Sequence, residues 1–183
     1  KGELVCTQAF PSMPVYFWND KDKEKYCSTY FDRFLSVWHH GDYISISKDG
    51  GVKIFGRSDT TLNPGGIRIG TSEIYQTVER FEEVDDSLVI GQPWSNDERI
   101  VLFIKIRNGY IFSEELIQNI KVAIKNSCSS HHVPKKILSI KDIPYTINGK
   151  KVELAVKHII QDIEVNNQDS LANPEVLDYY KDI

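Results

Sequence analysis

"ERIVLFIKIR", residues 98 to 107, is apolar at every position from Ile100 through Ile104. A strand with one wet face alternates apolar and polar residues, so an unbroken run of this length predicts a strand covered on both faces. Something must supply the two covers. Upstream, "DSLVIGQ" (86–92) reads as a second strand, separated from the first by the turn-like "PWSND" (93–97). Farther upstream, Thr71 or Ser72 can cap a helix running to about Glu83. Glu73 lies in its first turn, with Ile74, Val78 and Phe81 on one face.

Downstream, Ser113 opens another helix, with Glu114 and Glu115 at its start and Lys121 and Lys125 toward its end, the order the helix dipole favours. Pro134 stops the chain before a strand, "KILSIKDI" (136–143). A last helix, "KVELAVKHII" (151–160), puts Val152, Ala155, Val156 and Ile159 on one stripe, and the tail beyond Asp162 is polar, either loose or docked. The order helix, strand, strand, helix, strand, loop, helix predicts an α+β domain with helices packed on a short mixed sheet.

The first sixty residues read differently, as β-rich and irregular. "ELVCTQAF" (3–10) reads as a strand and "YFDRFL" (30–35) as a short helix. "DYISIS" (42–47) and "VKIFGR" (52–57) form a hairpin across "KDGG", whose Asp-Gly-Gly supplies positive backbone angles. "SDTTLNPGGIRIG" (58–70) follows, where Pro64-Gly65-Gly66 opposes regular structure and suits a linker or binding loop. The domain boundary is placed near Asp59, giving units 1–58 and 59–183. The chain opens on strand-like residues without a leader and reads as the middle of a longer protein.

Composition narrows the function classes. A net charge of −4 with scattered basic residues gives no electrostatic footprint for nucleic acid or an anionic membrane surface, and no stretch has the length of a membrane span. Cys6, Cys27 and Cys128 are odd in number and form no C-x-x-C pair, which points to a reducing, cytosol-like compartment. His39-His40 and His131-His132 are adjacent pairs that do not converge, so no metal ligand is assigned. No G-x-S-x-G elbow, P-loop or dinucleotide fingerprint is present.

What remains is a set of charged residues at element ends: Asp42 entering the hairpin, Arg57 leaving it, Arg68 in the Gly-rich loop, and Lys150 after the Asn-Gly turn of "PYTINGKK" (144–151). Read locally, each is an ordinary solvated charge, and Lys151 is expected to be the same.

Four stretches change that reading by their order and spacing: "GELVCTQAFPSMP", "WHHGDYISI", "IFGRSDTTLNPGGIRIGTSEIY" and "IPYTINGKKVE". Together they resemble the later motifs of the acyl-adenylate-forming CoA ligases, over essentially the whole chain. "FEEVDDSLVIGQ", "GKKVELAVKHII" and "NPEVLDYY" are most similar to the branch whose acid is acetoacetate. The resemblance implies the last, β-rich part of a large N-terminal domain followed by a mobile C-terminal domain. It implies a ligase that joins acetoacetate to CoA with ATP, through an acyl-adenylate, releasing AMP and pyrophosphate.

Residue by residue, it implies that Asp42 receives the ribose hydroxyls of ATP, that Arg57 contacts the nucleotide and that Arg68 meets phosphate. Asp59 matches the hinge about which the small domain swings. Lys150 matches the lysine that stabilises charge during adenylation, Gly66 lies where CoA's pantetheine arm would pass, and Lys125 matches a basic residue near the CoA phosphates. Many relatives carry Thr where this chain has His40, and no role is assigned to His40. Magnesium is expected with ATP, its ligands and the acyl pocket lying in the missing N-terminal domain. Two other readings stay open: another short-chain acyl-CoA synthetase, and a non-catalytic nucleotide-sensing or protein-interaction module.

Overall fold

The computed structural model describes residues 1–165 and 168–183, which form two compact units, Lys1–Asp59 and Thr60–Ile183. The first is built on an antiparallel sheet of β1 (Gly2–Cys6), β2 (Trp38–Ile46) and β3 (Val52–Arg57) in the order β1-β2-β3. The hairpin between β2 and β3 closes through the Ser47 amide on the Gly51 carbonyl (2.9 Å), and of "KDGG" only Gly50 takes a positive φ, +86°. β1 stops at Cys6 instead of running on to Phe10, whose ring turns in to Trp38. Trp38, 6% exposed, stacks on Tyr30 at 3.7 Å and meets Phe10 and Phe31 edge-on.

That aromatic cluster also explains why "YFDRFL" is a turn. The helix α1 lies earlier, at Glu24–Tyr30, because the Asp20 carboxylate accepts from the amides of Lys25 (3.1 Å) and Tyr26 (2.8 Å) and so satisfies its open first turn. Tyr30, the last helical residue, and Phe31, the C-cap, then pack on Trp38.

In the second unit the fold is α+β, with a mixed sheet in the order β4-β5-β6: β4 (Val84–Trp94) and β5 (Asp97–Ile106) are antiparallel, and β6 (Lys136–Ser139) runs parallel to β5. β5 is central, and its alternate residues enter two separate cores. Ile100, Leu102 and Ile104 pack with Ile74 and Val78 of α2 (Thr71–Val78) and Leu116, Ile120 and Ile124 of α3 (Glu114–Ser127). Val101 and Phe103 pack on the other face with Ala155 and Val156 of α4 (Glu153–Ile160), and with Leu177 and Tyr180 of the tail. The apolar run of β5 is thus the sum of two alternating faces, each buried side chain stabilising the unit by roughly 1.5–3 kcal/mol.

Three local expectations are corrected. β4 and β5 extend through "PWSND" until only Ser95 and Asn96 turn, both with positive φ, which keeps the long pair's twist continuous. Gly70, not Thr71 or Ser72, occupies the N-cap of α2. The helix ends at Val78, well before Glu83, since the carboxylates of "EEVDD" (82–86) are unfavourable at a helix C-terminus. Ser113 caps α3 as its sequence requires, its side chain accepting from the Leu116 amide at 3.1 Å.

The tail is docked. The isolated bridge Thr146–Leu171, the Ile147 amide on the Ser170 carbonyl (3.0 Å) and the Ala172 amide on the Tyr145 carbonyl (2.8 Å) lay it along the lysine loop. Tyr180 is fully buried against Phe103 and donates to the Asp142 carbonyl at 3.0 Å.

Candidate functional site

The sequence-predicted residues fall into three groups. In the first unit, Asp42 and Arg57 are direct partners across β2 and β3. A cleft of about 470 Å³ lies beside them, with His40, Gly41, Arg57 and Asp59 in its wall. Asp42 is not an isolated acceptor: His40 Nδ1 stands 2.6 Å from its Oδ2. The His40 ring, given no role from sequence, therefore orients this carboxylate. The Arg57 guanidinium donates to the His40 carbonyl (3.2 Å) and to Asp59 Oδ2 (3.3 Å). It can lie there because Gly41 has no side chain: a β-carbon on Gly41 would stand 2.8 Å from one guanidinium nitrogen. Adjacent His39 points elsewhere, to Glu3 Oε2 at 3.2 Å.

In the second unit, Gly66 and Arg68 share one closed loop. Its ends are the buried pair Leu62 and Ile69, which exchange two backbone hydrogen bonds of 2.9 Å. Between them Pro64–Gly66 forms a short 3-10 turn, so the segment is more ordered than its Pro-Gly-Gly reads. Gly66 is exposed with φ +77°, and among the described residues nothing beyond its own chain neighbours lies within 4 Å of where its β-carbon would stand. That side of the loop is open to a ligand, while the backbone angle itself favours glycine.

Two carboxylates that the sequence reading passed over set the loop's shape. Asp97 accepts from the Gly65 amide at 2.9 Å, and Glu98 from the Asn63 amide at 2.7 Å. Backbone donors from Glu98 and Gly65 hold the Asp97 carboxyl below its usual range. Glu98 also pairs with Lys157 of α4 at 3.1 Å, and its side chain crosses Gly91, where a β-carbon would collide with it. Only the tertiary fold reveals this pairing, because Asn63 and Glu98 are far apart in sequence. Lys125 is exposed in the last turn of α3.

Lys150 sits on the third feature, a tight loop between the bridge partners Tyr145 and Lys151. The Thr146 amide donates to the Lys150 carbonyl and the Gly149 amide to the Thr146 carbonyl, both at 2.8 Å, and the Lys150 amide reaches the Thr146 hydroxyl at 3.1 Å. Gly149 takes φ +71°, as the Asn-Gly turn requires. The Lys150 side chain is exposed, and among the described residues no carboxylate pairs with it.

Lys151 is the opposite of the solvated neighbour expected from sequence. Its ammonium pairs with Glu79 and with Asp86 Oδ1 (2.8 Å), donates to the Ser87 carbonyl (2.8 Å), and stands 4.3 Å from the centre of the Tyr75 ring. Glu79 is the C-cap residue of α2, and Asp86 belongs to the acidic run that follows that helix. Tyr75 is fixed in turn, donating to Glu153 (3.0 Å) and accepting from the Val89 amide (3.0 Å). Burial, and then the Glu153 charge, hold the Tyr75 hydroxyl protonated well above its usual range.

Among the described residues no three His, Cys, Asp or Glu side chains converge as a metal-binding group, and no helix is long and apolar enough to cross a membrane. The arrangement therefore offers a hydroxyl-accepting carboxylate and a guanidinium on the first unit. On the second it offers an exposed ammonium on a rigid loop and a glycine loop with one open side.

The chain is 54% identical over 180 residues to an acetoacetyl-coenzyme A synthetase of Rhizobium meliloti and 52% identical over 184 residues to an acetoacetyl-CoA synthetase of Gallus gallus. These matches cover 98% and 100% of the chain, which spans 28% of the length of each relative. Among solved structures, an acetoacetyl-CoA synthetase from Streptomyces lividans matches 98% of the chain with a TM-score of 0.91 and 39% identity, over 27% of its own length. No family model matches the chain.

Proposed function

Because the chain belongs to the acyl-CoA synthetase family, we propose that the whole protein is an acetoacetate:CoA ligase, and that these residues are the end of its large domain and its mobile C-terminal domain. The observation that carries this reading is the lysine loop: an exposed ammonium at the tip of a rigid turn, beside a second lysine whose charge is fully engaged. The first unit supports it by leaving large apolar side chains open, with Trp18 83% and Leu35 92% exposed, as expected if more chain covers them.

In the first half-reaction acetoacetate attacks the α-phosphorus of ATP and pyrophosphate leaves. Asp42, oriented by His40, accepts the ribose hydroxyls, while Arg57 and Arg68 hold the nucleotide and its phosphate oxygens. Lys150 places a compact cation against the charge that builds on carboxylate and phosphate oxygens. ATP enters as its magnesium complex, and no residue of this chain is assigned to the metal. In the second half-reaction the small domain turns about Asp59 and presents the open side of Gly66 to the pantetheine arm of CoA, with Lys125 near the CoA phosphates. The CoA thiol attacks the adenylate carbonyl and AMP leaves. The free cysteines suit a reducing, cytosolic setting.

The test is made in the whole protein. Lys150→Ala should abolish acetoacetate-dependent exchange of pyrophosphate into ATP while CoA still captures supplied acetoacetyl-adenylate. Unchanged exchange would overturn the role of Lys150, and a panel of short carboxylic acids with acetoacetate not preferred would overturn the substrate. The 183-residue chain by itself should form no adenylate.

A further inference from the structure

Both feet of the lysine loop are held by one carboxylate. Tyr145 and Lys151 are the bridge partners that flank the loop. The Tyr145 hydroxyl donates to Asp86 Oδ2 at 2.5 Å, and the Lys151 ammonium pairs with Asp86 Oδ1 at 2.8 Å. Asp86 stands on β4, its side chain 17% exposed, and β4 is paired along its length with the central strand. We infer that Asp86 is a positioning residue for adenylation: it ties the loop to the rigid sheet and thereby sets the direction of Lys150. This inference rests on the proposed function of Lys150.

The reasoning is geometric. Neighbouring side chains on an extended segment point to opposite sides, so fixing Lys151 inward directs Lys150 outward. The Lys151 ammonium has three donors, and three acceptors take them: Asp86, Glu79 and the Ser87 carbonyl. Glu79 alone would not serve, since its side chain is 45% exposed and solvent competes for it. Among the described residues Asp86 is the one group that touches both feet, and so resists both translation and rotation of the loop. A partly buried ion pair is weak evidence for stability, because desolvation offsets much of its attraction. What it supplies here is a direction. A lysine displaced by about 1 Å from its productive position can lose roughly a hundredfold in rate.

Asp86→Asn keeps the size of the side chain but removes its charge and replaces one of its two accepting oxygens, which serve Tyr145 and Lys151 separately, with a donor. In the whole protein, acetoacetate-dependent pyrophosphate exchange should fall about tenfold to a hundredfold. Thioester formation from supplied acetoacetyl-adenylate and CoA should stay within about twofold of the parent, because that step does not use Lys150. If Asp86→Asn does not fold, Tyr145→Phe removes one foot's hydrogen bond and should lower exchange several-fold, again sparing the second step. A folded Asp86→Asn or Tyr145→Phe protein that exchanges at the parent rate, or loses both half-reactions equally, overturns the inference. If Lys150→Ala abolishes exchange in that same experiment, the proposed function stands and only the clamp fails. If Lys150→Ala exchanges normally, both fail.

Discussion

The Arg57 guanidinium lies against Gly41, with two of its nitrogens 2.8 and 2.9 Å from the point where a β-carbon on Gly41 would stand. The guanidinium is the movable partner, so Gly41→Ala should push it off the His40 carbonyl and away from Asp59. Alanine is also strained at the φ of +85° found there. In the whole protein we expect the KM for ATP to rise about tenfold, with a loss of stability of roughly 1–2 kcal/mol. Steady-state kinetics and a thermal melt check both. An unchanged KM would mean that Arg57 does not meet the nucleotide.

At Gly66 two demands can be separated. The φ of +77° disfavours most side chains, whereas the space around the position is open within the chain. Asparagine tolerates positive φ better than other residues with side chains. Gly66→Asn should therefore fold nearly as well as the parent, yet slow capture of supplied acetoacetyl-adenylate by CoA, with pyrophosphate exchange intact. Gly66→Leu should add a stability loss of roughly 1–3 kcal/mol to the same kinetic defect. Normal thioester formation by the asparagine variant would show that CoA does not pass this side of the loop.

Glu98 carries a related prediction. Gly91→Ala should displace the Glu98 carboxylate, leaving the Asn63 amide and the Lys157 ammonium without it. A loss of about 1–3 kcal/mol is expected in a denaturant melt, with the glycine loop loosened. Glu98→Gln keeps an acceptor for Asn63 and removes only the charge that faces Lys157, so it should cost less. The two variants ranking in the other order would count against this account.

Three tyrosines make the second unit sensitive to alkali. Burial, and then the charges of Asp142 and Asp86, hold the Tyr180 hydroxyl protonated above its usual value of 10.0. Burial, followed by its hydrogen bond to Asp86, does the same for Tyr145, and Tyr75 shifts in the same direction. Each folded phenol binds its proton more tightly than the unfolded one. The stabilisation is therefore full below about pH 10 and is lost as the pH climbs from there toward the folded values. Urea midpoints of the whole protein between pH 8 and 11 should fall above pH 10. Tyr180→Phe should make that fall shallower, by at most about 1.4 kcal/mol per pH unit.

The second unit was largely legible because β5 and its neighbours carry strong patterns. The run Ile100–Ile104 demanded two covers, Ser113 marked a cap, and the periodic Ile74 and Val78 marked a core face. What the sequence hid were contacts between residues distant along the chain. Lys151 looks like any charge beside a turn, and nothing near it announces Glu79 or Asp86. Asp97 reads as a turn residue and Glu98 as the first residue of a strand, and their bonds to Gly65 and Asn63 appear only once β4 and β5 are paired. In the first unit, local sequence does not mark α1, because its amides are satisfied by Asp20 from outside the helix, ahead of a left-handed Lys23. Neither signal belongs to a local propensity scale.

The strap formed by Ser170–Asn173 along Ile143–Ile147 has a consequence in time as well as in space. The lysine loop leaves the ribosome before the residues that brace it, and the Tyr145 amide has no Asn173 to bind until about a further thirty residues have been made. During that interval its backbone is open to solvent and to proteases. The bracing of the loop is thus completed only once Asn173 has been made, and a chain interrupted before that residue would carry Lys150 without it.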